Sequence, residues 1–180
     1  MDKIKKTMME MFMERNYDVR QPFSSSETTS FHDAICFDKY ANKHVYVYLV
    51  PKNKTIHWLK KYMVDTENVR DEHFLMVFSS MPNLSCRKWF MDREAEIFTY
   101  PELQFNIVKH TMVPKHIHVR HKNDITKILK LYNVTDKEIL PVIKASDPVS
   151  RFYAAKKEDL FIIERMSPTA GVVPYLRMVV

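Results

Sequence analysis

The sequence predicts two domains, an α/β domain over residues 1–105 and a smaller α+β domain over residues 106–180. Three observations lead there. Two unbroken runs of β-branched and aromatic residues, H-V-Y-V-Y-L-V at 44–50 and F-L-M-V-F at 74–78, flank a segment of helical spacing at 55–64, which is strand–helix–strand layering. The charge is uneven: residues 1–105 hold 15 Lys+Arg against 15 Asp+Glu, residues 106–180 hold 13 against 7, so the whole net charge of +6 lies in the second part (13 − 7). A chain of 180 residues has room for two small domains.

The first domain opens with an amphipathic helix over residues 2–15, where Ile4, Met8, Met11 and Phe12 fall on one face between charges. Residues 21–30 read as a polar, serine-rich loop. Residues 31–37 are a candidate strand. The run at 44–50 has no polar alternation, as in a central strand buried on both faces, and Pro51 ends it. Residues 55–64 carry Ile56, Leu59, Tyr62 and Met63 on one helical face. After the strand at 74–78 come a polar loop at 79–85, a short helix at 86–91 and a third strand at 96–99. Helices covering a largely parallel sheet are expected.

The boundary falls within 105–113. In the second domain Ile125, Ile128, Leu129 and Tyr132 give a helix over 124–132 its apolar face, and Thr135 with Glu138 fits a capping box for a short helix that Pro141 limits. Asp147-Pro148 is a helix start: the carboxylate accepts from free N–H groups and proline suits the first turn. Strands are expected at 160–165 and 175–180, joined by a loop through Thr169-Ala170-Gly171. Gly171 is the chain's one glycine, which marks a backbone position that a Cβ would obstruct or that approaches something closely.

Composition excludes several function classes. Apolar content of 46% is that of a globular protein, and no apolar run reaches the ~18 residues of a membrane span. The N-terminus lacks the apolar stretch of a secretory signal, so an intracellular protein without membrane partners is expected. Cys36 and Cys86 are far apart, which fits neither a disulfide scaffold nor a zinc knuckle. His110, His116, His118 and His121 lie close together, but no cysteine accompanies them, and packing is preferred over a metal site. No Asp or Glu stands two residues before any lysine (Lys52, after the central strand, follows Val50), so a Mg²⁺ nuclease lacks its carboxylates. Cys36 near His32 and Asp33 has no glycine-rich elbow, and one glycine rules out a Walker loop. Trp58, Trp89, Phe90 and Tyr100 could stack bases but suit a core. No catalytic residue, metal or cofactor is expected. A basic second domain points to an acidic partner surface or to nucleic acid.

Five motifs carry a family resemblance: Leu140-Pro141-x-Ile143; Asp147-Pro148-Val149-x-Arg151-Phe152; Ile163-x-Arg165; Ser167-x-Thr169-Ala170-Gly171; and, upstream, His110-x-x-Val113-Pro114-x-His116. In this order they resemble the assembly domain of the fifth shared subunit of eukaryotic RNA polymerases, a family whose archaeal members consist of that domain alone. Residues 13–19 resemble the opening helix and turn of the eukaryotic form. The chain departs from the family in the turn before the strand, where family glycines are replaced by A-A-K-K-E-D at 154–159, and near the C-terminus, where a tyrosine-arginine pair becomes Leu176-Arg177.

The resemblance implies a non-catalytic subunit of a multisubunit DNA-directed RNA polymerase. Residues 1–105 would be a jaw domain with the restriction-endonuclease fold but no active site, and residues 106–180 an assembly domain. His110, Pro114, His116, Asp147, Pro148, Arg151, Arg165, Thr169, Ala170, Gly171 and Arg177 would build or present the surface that binds the largest subunit beside neighbouring small subunits. The loop with Ser80, Pro82 and Ser85, followed by Arg87 and Lys88, would lie near downstream duplex DNA, touching phosphates without reading sequence. The drift from family glycines suits a fast-evolving, virus-encoded version as well as a cellular one. The expected location is the nucleus for a cellular protein, or the host cytoplasm or the virion for a viral one. The alternative is a free-standing DNA-binding or nuclease-like protein of the same fold.

Overall fold

The computed structural model describes residues 2–23, 33–50 and 73–180. The chain divides into two compact units, Met1–Phe105 and Asn106–Val180.

In the first unit, α1 (Asp2–Glu14) buries Ile4, Met8, Met11 and Phe12, the face that the spacing predicts. Asn16 then takes a left-handed φ of 58° and turns the chain into β1 (Tyr17–Gln21). β1 therefore replaces the expected aromatic turn. Its sequence, Y-D-V-R-Q, alternates with charges because it is an edge strand, while Tyr17 stacks on Phe12.

β2 (Ala34–Asp38), β3 (Lys43–Leu49), β4 (His73–Phe78) and β5 (Glu96–Thr99) complete a sheet of order β1-β2-β3-β4-β5. The sheet is mixed, which corrects the expectation of a largely parallel one: β1–β2 and β2–β3 are antiparallel, β3–β4 and β4–β5 parallel. The β2–β3 hairpin is set by a short turn. There the Asp38 carboxylate accepts from the Tyr40 and Ala41 N–H groups, and Asn42 is left-handed at 55°. β3 is the central strand, with Val45, Val47, Tyr48 and Leu49 buried. α2 (Leu84–Met91), capped by Asn83 through the Cys86 N–H, buries Cys86 and Phe90 against Tyr48, Met76 and Phe78. The helix expected at 55–64, and Trp58 with it, lies outside the described residues.

The second unit is built on a four-stranded sheet of order β6-β8-β9-β7, from β6 (Lys115–Val119), β7 (Val142–Ile143), β8 (Leu160–Ser167) and β9 (Gly171–Val179). β8 and β9 form a long antiparallel hairpin whose strands run further toward the turn than expected. On one face α3 (Lys122–Leu131) packs Ile125 and Leu129 over Leu160, Leu176 and Met178. Tyr132, expected on that apolar face, is 40% exposed because the helix ends before it. On the other face, reached by the alternate residue Phe161, lies Tyr153 at the end of α4 (Pro148–Phe152). The expected short helix near Pro141 is one 3₁₀ turn, Lys137–Ile139; its cap is Asp136, accepting from Glu138 N–H, rather than Thr135.

The glycine shortage shows at the helix ends. After α4, Ala155 N–H bonds to Ser150 O and Ala154 N–H to Arg151 O, the paired bonds of a Schellman ending, with Ala154 at φ 53° where glycine is preferred. α3 ends alike through Asn133 (φ 53°), and the turn after α2 through Glu94 (φ 54°).

Candidate functional site

Four of the residues expected to bind a partner gather around His116. β6 places it on the sheet face of Phe161, whose ring it meets edge-on with centroids 5.6 Å apart. Its Nδ1 hydrogen-bonds the Pro114 carbonyl at 2.7 Å, which fixes the ring as the chain turns into β6. Burial pushes the His116 pKa below its ordinary value; the Pro114 bond and Asp147 oppose the shift, and Arg177 and Arg165 add to it. The shift favours the neutral form of His116. Asp147, Arg165 and Arg177 are close enough to act on it electrostatically, so the cluster carries two cations and one carboxylate.

Each member has a local reason for its place. Asp147 caps α4 by accepting from the Val149 N–H at 2.9 Å, as the sequence predicts, and Pro148 is the first helical residue. Arg151 follows one turn later, its N–H bonded to the Asp147 carbonyl. Arg165 is exposed on β8 and holds its guanidinium 5.0 Å from the Tyr175 ring. Arg177 lies opposite Phe161 on β9; its Nε is buried without a hydrogen-bond partner among the described residues. At the hairpin tip, Ser167 Oγ accepts from the Thr169 and Ala170 N–H groups. Gly171, paired with Ser167, has φ 69° and closes a three-residue loop with a left-handed residue. No atom of the described residues lies within 4 Å of the Cβ it lacks, so among them it answers a conformational need and no close approach. His110 is exposed, its Nδ1 accepting from the Met112 N–H at 3.2 Å.

Beside the hairpin runs a groove of about 580 Å³, lined by Met112, Lys115, Glu164, Arg165, Met166 and Val172 among others, with Lys115 bonded to Glu164. Met112 and Met166 are at least 80% exposed. Sequence reading missed this apolar strip, because isolated methionines between charges carry no periodic signal. It also missed the network of Asp159, which accepts from Lys156 N–H and bonds His118 Nε2 at 2.8 Å. His118 stacks on Phe161, and Arg120 ties its Nδ1 to the Tyr153 carbonyl. These histidines serve packing and hydrogen bonding, and no group of three metal-ligating side chains occurs among the described residues.

The residues expected near DNA converge less. Ser80 and Lys88 are exposed, but Pro82 is buried and so offers no ring to a ligand. The helix starts at Leu84, which puts Ser85 in its first turn rather than in the loop. At about 100° per residue, Ser85 and Arg87 lie on opposite sides of α2. Of the aromatics weighed for base stacking, Phe90 is fully buried, Tyr100 bonds the Val50 carbonyl, and Trp89 is covered by the Arg93 guanidinium at 4.0 Å.

The carboxylate that emerges on β5 is not free for metal chemistry. Arg15, fully buried, grips Glu96 at 3.0 and 2.7 Å, and His73 Nε2 bonds it at 2.7 Å. Burial alone would raise the Glu96 pKa, but Arg15 and His73 lower it to about 2. Both cysteines are buried and free, and burial raises the Cys36 thiol to about 12, so it is inert.

Comparison with known proteins follows the same division. The family model for the RNA polymerase Rpb5 C-terminal domain matches residues 105–179. The DNA-directed RNA polymerase subunit Rpo5 of Pyrococcus abyssi is 44% identical over 77 residues, 43% of this chain and 92% of the relative. Rpo5 of Archaeoglobus fulgidus is 40% identical over 78 residues, 43% of this chain and 100% of the relative. Rpo5 of Thermofilum pendens is 38% identical over 76 residues, 42% of this chain and 92% of the relative. Identity of this order over nearly the full length of such relatives establishes that the chain belongs to the Rpb5 family, called Rpo5 in archaea.

Proposed function

We propose that the chain is a non-catalytic subunit of a multisubunit DNA-directed RNA polymerase, with the second unit docked on the largest subunit and the first unit part of the lower jaw beside downstream DNA. The observation that carries this is the coincidence of the family match, 105–179, with the unit that presents His116, Asp147, Arg165 and Arg177 around one hairpin. Two arginines with one carboxylate, next to exposed methionines, suit an acidic and partly apolar protein surface.

The first unit, charge-balanced and with few cations on α2, suits weak contacts to a DNA backbone held nearby by the rest of the enzyme. Its mixed sheet with helices is compatible with an endonuclease-like fold that has lost its chemistry. The rival, a free-standing nuclease, lacks support, because Glu96 is bound by Arg15 and no acidic residue stands two before a lysine. No helix among the described residues is long and apolar enough to cross a membrane. The place of action is where that polymerase works: the nucleus for a cellular enzyme, the host cytoplasm or virion for a viral one.

Affinity purification of the tagged chain, with its partners identified by mass spectrometry, tests the proposal. The largest polymerase subunit is expected in equimolar amount. Recovery of the chain alone, or metal-dependent cleavage of duplex DNA by the purified chain, contradicts it.

A further inference from the structure

The β8–β9 hairpin has an open edge. β8 pairs with β9 along its whole length, whereas β7 reaches only Met178 and Val179 on the other side. Backbone groups along a strand point alternately to the two sides. Val179 N–H bonds Asp159 O on the β8 side, and Met178 N–H bonds Pro141 O on the β7 side. The register is unbroken from 171 to 178, so the even-numbered residues Val172, Pro174 and Leu176 also face the β7 side. No strand of the described residues lies there, because the chain before Pro141 has turned into the 3₁₀ helix Lys137–Ile139. Three carbonyls (172, 174, 176) and two N–H groups (172, 176) are thus without a ladder partner among the described residues. Proline sits at 174, a position where its missing N–H breaks no bond to β8.

The side chains around this edge fit a particular kind of strand. Val173, Tyr175 and Arg177 face the His116 side, where Arg165 lies over Tyr175 and the Arg177 Nε lacks a partner. Val172, 57% exposed, and Met166 make the tip of the opposite face apolar, and Glu164, bonded to Lys115, follows on the same face. Two copies of this chain paired edge to edge would bring arginines together, which disfavours a dimer.

We propose that the open edge of β9 takes an extended, carboxylate-bearing segment of a partner polymerase subunit as an added strand, its main chain bonding to 172–176 and an acidic side chain meeting Arg177 and Arg165. The inference rests on the docking reading above and specifies its chemistry.

Residue-resolved hydrogen exchange on the full chain, free and within purified polymerase, tests it. Val173 and Tyr175 amides, bonded to β8, are expected to be slow in both states. Val172 and Leu176 amides are expected to exchange rapidly in the free chain and to slow by about tenfold or more in the enzyme. If the chain is incorporated but Val172 and Leu176 exchange as fast as before, the added strand is wrong while docking stands. If the chain does not enter the enzyme, both fail. Concentration-dependent protection of the free chain would assign the edge to a second copy and overturn the proposal. Arg177→Met, which keeps the stem and removes the charge, is expected to weaken incorporation about tenfold or more with the exchange pattern of the free chain unchanged; unaltered incorporation overturns the carboxylate contact.

Discussion

Replacing Ala154 by glycine should stabilise this protein, whereas the same change at the neighbouring Ala155 should destabilise it. Ala154 holds φ 53° in the Schellman ending of α4, and Glu158, four residues on, holds φ 75°. A left-handed conformation costs a residue with a Cβ ~1–2 kcal/mol. Glycine removes that strain but adds ~0.5–1 kcal/mol of unfolded-state entropy. Ala154 is half-buried, so loss of its methyl contact offsets part of the gain. The net for Ala154→Gly combined with Glu158→Gly is about 1 kcal/mol of added stability, or roughly 4–8 °C in the unfolding midpoint of a unit this size. Ala155 is not left-handed, so Ala155→Gly should cost about 0.5 kcal/mol or more. Asn133→Gly should change little, since asparagine tolerates the same conformation. Urea unfolding of the full chain, followed by circular dichroism, reads all three. Equal destabilisation by glycine at 154 and 155 would refute the claim that the chain's missing glycines are stored as backbone strain.

Other predictions concern the two units. Glu96, held near a pKa of about 2 against an unfolded value of about 4.5, contributes stability above pH ~4.5 that is lost as pH falls toward 2. The shift amounts to about 3 kcal/mol, so Glu96→Gln should flatten the acid limb of urea unfolding curves, and an unchanged limb would contradict the Arg15–Glu96 geometry. Arg15→Met should destabilise the first unit by about 3–5 kcal/mol, as removal of one partner of a buried pair does. Alanine at Ser80, Ser85, Arg87 and Lys88 together should leave the chain in the polymerase but remove its crosslinks to downstream duplex. Unchanged crosslinking would move any DNA-facing surface elsewhere. Arg151→Ala with Gly171→Val, the latter forcing valine into φ 69°, should reduce incorporation while the first unit stays folded; normal assembly would argue against the hairpin as the docking element.

What the sequence disclosed follows from where the signals are local. Unbroken apolar runs gave β3 and β4, helical spacing gave α1, and Asp147-Pro148 gave the start of α4. The missed strands were those whose inward positions are not apolar. β6 turns His116 and His118 toward Phe161, so K-H-I-H-V shows no apolar alternation, and β7 is two residues long. β1 carries charges because it lies on the sheet edge. Helix ends were hard to place because glycine, the usual marker, is absent from Glu94, Asn133 and Ala154. The ordered motifs brought Asp147 and Arg165 to attention, and the altered pair Leu176-Arg177 brought Arg177, but their meeting around His116 depends on strand register, which no single stretch encodes.

Crosslinking mass spectrometry of polymerase purified through the tagged chain tests the docking claim most directly. Lys115 adjoins His116 on β6, its side chain bonded to Glu164, and Lys144 lies three residues before Asp147; both are exposed, whereas Lys127 and Lys130 lie on α3. The account predicts crosslinks from Lys115 and Lys144 to the largest subunit and few from Lys127 and Lys130. Crosslinks to that subunit from α3 or from the first unit, with none from Lys115 or Lys144, would contradict it.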